Sequence, residues 1–310
     1  MILCVGEILV DMIESDKSAG TFKAFAGGAA FNVACAVKKF GGSCGFCGAV
    51  GKDVMGKFLY DFAAARNFDY LNITTLNNAN TTMAFVTHDE KGERYFDFYR
   101  NRSADYLIDV NGVDTSVLRK SSIINIGSLM LGKKTGEKVF FEILEKARRN
   151  GVKTAFDVNY RKGIFSSDNY GVGLLKKIMD LVDFVKLSKE EATMLTDTDN
   201  IERAIGKLSD KKNNYFITLG REGSYSIIGG KRFYQSSIAV DQVDTNGAGD
   251  AFWGAVLSKL DGMNGHIDNA AIADTLKYAN VCGALTTTGS GAIDALPDMA
   301  TVGSYYSKFF

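Results

Sequence analysis

The sequence predicts an α/β fold: a doubly wound, mainly parallel sheet with helices on both faces, plus a small β-sheet lid. Three features carry that prediction. Apolar runs of strand length alternate with amphipathic stretches of helix length along most of the chain. Residues 83–100 (MAFVTHDEKGERYFDFYR) read instead as two strands joined by a turn around Lys91-Gly92, with no crossover helix between them. No linker, low-complexity tract or internal repeat divides the 310 residues. One domain over 1–310 is therefore expected, with the lid drawn from about 7–25 and 81–102.

Taken in order, residues 2–5 are an apolar strand, and 7–14 (EILVDMIE) run on past the length a core strand needs, into the lid. After Gly27-Gly28 a helix reaches about Phe40, with Ala30, Val33, Ala34 and Val37 on one face. A strand at 44–50 leads to a helix facing inward through Met55, Phe58, Leu59 and Phe62. The strand 122–127 precedes a helix from Thr135 to Asn150 that Gly151 closes. TAFDVN, DFVKLS and YFITLG (215–220) continue the series, and right-handed crossovers between such strands make a parallel sheet. IAVDQV (238–243) reads as one more strand, running into a Gly-rich turn and the helix AFWGAVLSKL.

Composition excludes several classes. With 46% hydrophobic and 23% charged residues the chain is too apolar for disorder, and 33 Gly against one Pro imply many tight turns. Lys plus Arg (36) balances Asp plus Glu (36), so no overall charge points to nucleic acid or an anionic membrane. MILCVGEILVDMI has no basic leader, and Gly6-Glu7 interrupt its apolar run far short of a membrane span. Cys4, Cys35, Cys44, Cys47 and Cys282 are odd in number and scattered, the usage of a reduced, cytoplasmic protein.

The chemistry concentrates in Val243-Asp244-Thr245-Asn246-Gly247-Ala248-Gly249-Asp250-Ala251-Phe252. Small residues at 247–249 let backbone N–H groups point into open space at a helix N-terminus, an anion site by geometry and dipole. Asp250 inside such a site would repel a ground-state phosphate, so it makes sense as a base toward an attacking hydroxyl. An Asp that only complements the helix dipole is the plainer alternative.

DTNGAGDAF (244–252) resembles the signature of the ribokinase-like (PfkB) carbohydrate kinase family, and Gly27-Gly28-Ala29-Ala30-Phe31-Asn32-Val33-Ala34 resembles its second motif. Motif order, the hairpin and GALTTTGSGAIDALP (283–297) extend the resemblance over essentially the whole chain. FYRNRSAD (98–105) and the GALTTT tail are most similar to the fructokinase branch. The resemblance implies ATP as co-substrate with Mg²⁺, Gly247, Ala248 and Gly249 with the Asp250 N–H as anion hole, and Asp250 as base. It implies a sugar held by Asp11, Gly27, Gly28, Asn32 and Arg161, with Phe98 and Arg100 on the lid. Period two puts Phe96, Phe98 and Arg100 on one hairpin face, though Arg100 on a solvated strand edge fits as well.

The nucleotide is implied at Asp157, Lys186, Thr218, Gly220, Gly223, Asn280 and Gly283. Ser188 and Glu191 spell a capping box where the family has an Asn-x-x-Glu serving Mg²⁺ indirectly, so Glu191 has two readings. Some members use K⁺; by position Asp244, Asn246, Thr286, Gly289 and Gly291 would supply oxygens. Ala30 and Val158 stand where proline is frequent and Asn246 where threonine is, changes that bear on sugar preference rather than chemistry. The implied partners are a small-molecule sugar and ATP, with the lid as the face for a homodimer.

Two decoys fall away. Cys44-Gly-Phe-Cys47 lies in a strand pattern that turns its thiols to opposite faces, and the histidines His88 and His266 have no metal spacing. Gly127 to Lys134 almost spells a P-loop, but Lys134 stands where a hydroxyl must meet Mg²⁺. Fructose is the expected acceptor. The rivals are a sister kinase for ribose, 2-keto-3-deoxygluconate or a nucleoside, and a non-catalytic sugar- or nucleotide-binding regulator.

Overall fold

The computed structural model describes residues 1–16, 20–88, 94–263 and 268–310. The Lys91-Gly92 turn, His266 and the side chains of His88, Tyr95 and Phe96 lie outside what is described.

The chain opens with β1 (Ile2–Val5), β2 (Leu9–Asp16), β3 (Thr21–Gly27), α1 (Ala29–Lys39), β4 (Cys44–Gly51), α2 (Val54–Ala64) and β5 (Tyr70–Leu76). The hairpin β6 (Met83–His88) and β7 (Arg94–Tyr99) follows, then α3 (Thr115–Lys120), β8 (Ile123–Ile126) and α4 (Lys134–Arg149). Next come β9 (Lys153–Asp157), α5 (Asp168–Met179), β10 (Phe184–Ser188), α6 (Lys189–Thr196), α7 (Ile201–Ser209) and β11 (Asn214–Thr218). The chain ends with β12 (Ser224–Ile228), β13 (Lys231–Gln235), α8 (Ala248–Gly262), α9 (Asn269–Thr286) and α10 (Met299–Phe309).

Among the described residues these strands form a nine-stranded sheet, ordered β13-β12-β11-β10-β9-β8-β1-β4-β5, and a four-stranded sheet, β3-β2-β6-β7. The large sheet is parallel from β11 to β5. Successive side chains leave opposite faces, so Ile2 and Cys4 enter one core with α1, α8 and α9 while Leu3 and Val5 enter another with α4, α5 and α7. Cys44 and Cys47 divide the same way, and all five cysteines are unpaired and buried.

One expectation needs correction. Residues 238–243 form no strand; they cross the sheet edge as extended loop, where the N–H groups of Val243 and Asp244 both donate to Thr287 O. The edge is completed instead by the antiparallel β12–β13 hairpin, turned by Gly229-Gly230 at φ 55° and 78°. Positive φ at both turn residues is the signature of a tight hairpin turn whose twist matches its strands.

The smaller sheet is the expected lid, spanning 9–16, 21–27, 83–88 and 94–99. It joins the large sheet beside β1, whose neighbours β4 and β8 lie on its opposite sides, the chain building first toward β5 and later toward β13. Strand order reverses there, and such switch points open a crevice at the carboxyl ends of the strands.

Most helices begin on an Asp, Ser or Asn that caps the first turn, as Asp53 does toward Gly56 N at 2.7 Å. Helices α1 and α8 begin on Gly28 and Gly247 with no side-chain cap. The N-terminus of α8 is thereby left open, while that of α1 is met by Glu7 through Ala30 N. The two helices pack backbone to backbone: a Cβ on Gly254 would lie 2.6 Å from Ala36 Cβ and 3.2 Å from Val33 O.

Candidate active site

The turn before α8 is shaped by Gly247, whose φ is 76°; a Cβ there would stand 2.6 Å from Ala292 Cα. In the first turn of α8, Ala251 N–H reaches Gly247 O at 2.8 Å and Ala248 N–H leans on Thr245 O at 3.4 Å. The N–H groups of Gly249 and Asp250 have no backbone acceptor among the described residues, and with the helix dipole they present an anion site. Beneath it lies Lys186, its Nζ 3.1 Å from where a Gly249 Cβ would stand. Burial works against this ammonium, but the carboxylates of Asp157, Glu191 and Asp250 outweigh it and hold the pKa above the ordinary lysine value.

Lys186 Nζ donates to Asp157 Oδ2 at 2.7 Å, while Asp157 Oδ1 is buried with no partner among the described residues. A hard carboxylate oxygen left open beside the anion site suits Mg²⁺ that arrives with phosphate and keeps its own waters. Glu191 is differently employed. Its Oε2 accepts from Ser188 N at 2.8 Å and its Oε1 from Tyr160 N at 2.6 Å, so the capping box is formed and the β9 turn is tied to α6. Burial first, then Asp157, raises its pKa. No group of three His, Cys, Asp or Glu among the described residues could hold a metal.

Asp250, in the first turn of α8, is half-buried. Burial pushes its pKa up to about 6, against the pull of Lys186 and Arg161 and a hydrogen bond from Asn32. Asn32 Nδ2 donates to Asp250 Oδ2 at 2.8 Å, joining the two motifs 218 residues apart; Asn32 Oδ1 is buried with no partner among the described residues. On the same side, a Cβ on Gly27 would fall 2.2 Å from Asp11 Oδ2, so only glycine lets that carboxylate lie against the backbone. Gly28 has φ 104°, and a side chain there would strike Glu7 O at 2.7 Å. Phe98 packs on Leu9, Ala84 and Leu129 at the foot of the lid. Arg100 is turned inward, its guanidinium paired with Asp105 and donating to Leu129 O at 3.0 Å.

The nucleotide candidates divide. Thr218, Gly220, Gly223, Asn280 and Gly283 line a cleft of about 860 Å³ between the β11 turn, loop 237–245 and α9. Asp157 and Lys186 lie outside that lining, Lys186 Nζ standing beside Gly249, which belongs to it. Asn280 Nδ2 donates to Gln235 O at 3.0 Å and Ser236 O at 3.3 Å, tying α9 to the loop whose Ile238, Ala239 and Val240 supply apolar wall.

Asp244 joins the candidate cation loops: Oδ1 accepts from Asn246 N at 2.7 Å and Oδ2 from Gly291 N at 3.1 Å. Thr286 is buried, its hydroxyl spent on Cys282 O at 2.8 Å, and Gly289 lies against Ala295. The near-P-loop is a 3-10 turn, Leu129–Gly132, whose Met130 carbonyl abuts Gly136.

Sequence reasoning missed Glu7 and Asp105. Glu7 is fully buried at the end of β1, and its Oε1 accepts from Ala30 N at 3.2 Å, serving the uncapped α1 from a distance. An acid directly after a buried strand at the switch point was the available signal.

Residues 1–299 match the family model described as pfkB family carbohydrate kinase. A curated relative, probable fructokinase-5 of Arabidopsis thaliana, is 34% identical over 97% of this chain and 95% of its own length. A crystal structure of fructokinase with bound ATP from Xylella fastidiosa superposes with a TM-score of 0.90, at 30% identity over 99% of this chain and 98% of that one. A double-mutant fructokinase from Vibrio cholerae, in a fructose, ADP and potassium ion bound form, gives 0.87 at 29% identity over 98% and 97%.

Proposed function

The chain belongs to the pfkB family of carbohydrate kinases, and from that premise we propose that it transfers the γ-phosphoryl group of ATP to the 6-hydroxyl of D-fructose. It is a phosphotransferase with a sugar hydroxyl as acceptor. The observation that carries the reading is the Asn32–Asp250 hydrogen bond, which sets a carboxylate with pKa about 6 between the Asp11–Gly27 side and the anion site.

Asp250 takes the proton of the attacking hydroxyl, and the Gly249 and Asp250 N–H groups receive charge growing on the transferred phosphoryl. Lys186 adds positive charge from below. Alignment and charge neutralisation supply most of the acceleration in such a transfer. Asp11, Asn32 and Arg161 hold the sugar; Thr218, Gly220, Gly223, Asn280 and Gly283 border the nucleotide. Mg²⁺ arriving with ATP would be held at Asp157, with Glu191 acting only indirectly, and would supply positive charge against the phosphates. K⁺ would be held where Asp244 knits 246 to 291, a reading supported by the potassium-bound relative.

Five unpaired cysteines support the cytoplasm as location, and no helix among the described residues is long and apolar enough to cross a membrane. An exposed Tyr99 packed at a tilt on Phe85, which meets Phe22 edge-on, supports homodimer pairing through the lid, testable by sedimentation. Residues 1–310 act as one kinase domain with its lid. The deciding experiment is ADP release over a panel of sugars: D-fructose should give the highest kcat/KM. Faster turnover of ribose, a nucleoside or 2-keto-3-deoxygluconate would replace fructose as the substrate. No ADP release with any sugar would leave a binding protein.

A further inference from the structure

The chain crosses between the two sheets four times: at 6–9, 27–29, 81–83 and 99–101. One buried cluster touches all four crossings. Glu7 sits at the first and bonds Ala30 N, just beyond the second, at 3.2 Å. At the third, Thr82 Oγ1 donates to Asp105 Oδ1 at 2.6 Å, and Thr82 O accepts from Val10 N at 3.0 Å. At the fourth, Arg100 pairs with Asp105 through side chains only 7% and 1% exposed, and also binds Leu129 O.

Arg100 and Asp105 act on the charge of Glu7 from the lid side, while Leu9, Ala84, Leu129, Phe98 and Ile164 form a small apolar cluster at the same junction. Glu7 Oε2 and Arg100 Nε are buried without partners among the described residues. A cation paired with one buried carboxylate, with a second within electrostatic reach, tolerates few geometries at a junction this dry, because breaking one buried partner strands the others. Arg100 therefore has its Nη2 group committed to Asp105 and Leu129 O before any ligand arrives.

We propose that Glu7, Thr82, Arg100 and Asp105 form a knot that sets the lid's seat over the sugar, so that Arg100 acts on fructose turnover as a positioning residue through Asp105 and not as a sugar ligand. This rests on the reading of the cleft as a sugar-kinase site. A loosened knot leaves the lid mis-seated, which weakens sugar capture and admits water to the bound nucleotide.

The test compares Thr82→Val, Asp105→Asn, Arg100→Lys and the pair Thr82→Val/Arg100→Lys in the full chain. Each single variant should lower kcat/KM for fructose about tenfold, the scale of a lost hydrogen bond to a charged group. Each should raise ATP hydrolysis measured without sugar, and KM for ATP should stay within about twofold, since ATP binds on the other side of the anion site. The pair should lose less than the product of its members, because both cut one network. Where Asp105→Asn fails to fold for its stranded guanidinium, Thr82→Val, which keeps the ion pair, decides alone. If Thr82→Val behaves as wild type while Arg100→Lys raises the fructose KM, Arg100 touches sugar directly and the knot is overturned. If the unmutated chain prefers another sugar, the substrate reading fails separately, and the same ratios and sugar-free hydrolysis still judge the knot.

Discussion

Asn32 looks from its motif like a sugar ligand, yet one of its amide N–H groups is already given to Asp250 at 2.8 Å, while its oxygen is without a partner among the described residues and is left for a substrate hydroxyl. That bond favours the charged form of Asp250, which burial disfavours. Asp250→Asn should keep ATP binding by titration calorimetry and lose roughly 10²–10⁴ in kcat, the scale of a lost general base. A fall below about tenfold removes Asp250 from the role. The base must be unprotonated, so kcat/KM should rise with pH through about 6 and then level. Asn32→Ala should move that limb to higher pH, because a group holding the charge is gone. A limb that stays put would confine Asn32 to sugar contact. Gly249→Val places its first carbon 3.1 Å from Lys186 Nζ and should lower turnover roughly 10²–10³, as for one lost anion-hole donor.

At the scale of elements, Ser188–Glu191 was legible as a capping box, and the box is formed. What pattern could not reveal is the second use of Glu191, a bond to Tyr160 N that crosses from another strand turn beside Asn159 at φ 36°. Glu191→Gln keeps one acceptor for two N–H groups, so chemical denaturation should show a loss of about 1–3 kcal/mol, with or without Mg²⁺. A variant of unchanged stability but raised Mg²⁺ requirement would give Glu191 to the metal. Strand positions were legible wherever an apolar run had partners on both sides, as in β1 and β8 to β11. IAVDQV misled because its apolar residues wall a cleft instead of a sheet. The β12–β13 hairpin was written in its Gly229-Gly230 turn and went unread. Glu7, Thr82 and Asp105 meet only through tertiary structure, and no spacing announces them.

For the whole molecule, buried carboxyls with raised pKa, among them Glu7, Asp250 and Glu191, tilt stability toward acid. The pKa of Glu7 is raised from an ordinary 4.5 to about 7, first by burial, and that of Asp250 from 3.8 to about 6. A raised carboxyl contributes stability below its unfolded value and loses it as pH climbs through its folded value. Unfolding free energy should therefore decline between about pH 5 and 7, and Glu7→Gln should flatten the upper part of that decline in denaturant titrations. Asp114 and Asp298, held low by backbone N–H groups, act oppositely only at more acid pH. An unaltered slope in Glu7→Gln would show that Glu7 ionises as freely in the folded chain as in the unfolded one. The contact of Gly254 with Ala36 and Val33 has a consequence for recombination. Helices α1 and α8 carry the two partners of the Asn32–Asp250 bond, and their spacing is fixed at a seam that admits no added methyl group. A chimera taking these helices from different parents would inherit two intact motifs and still mismatch them. Loops around the sugar can be exchanged freely only while the helix pair travels as a single cassette.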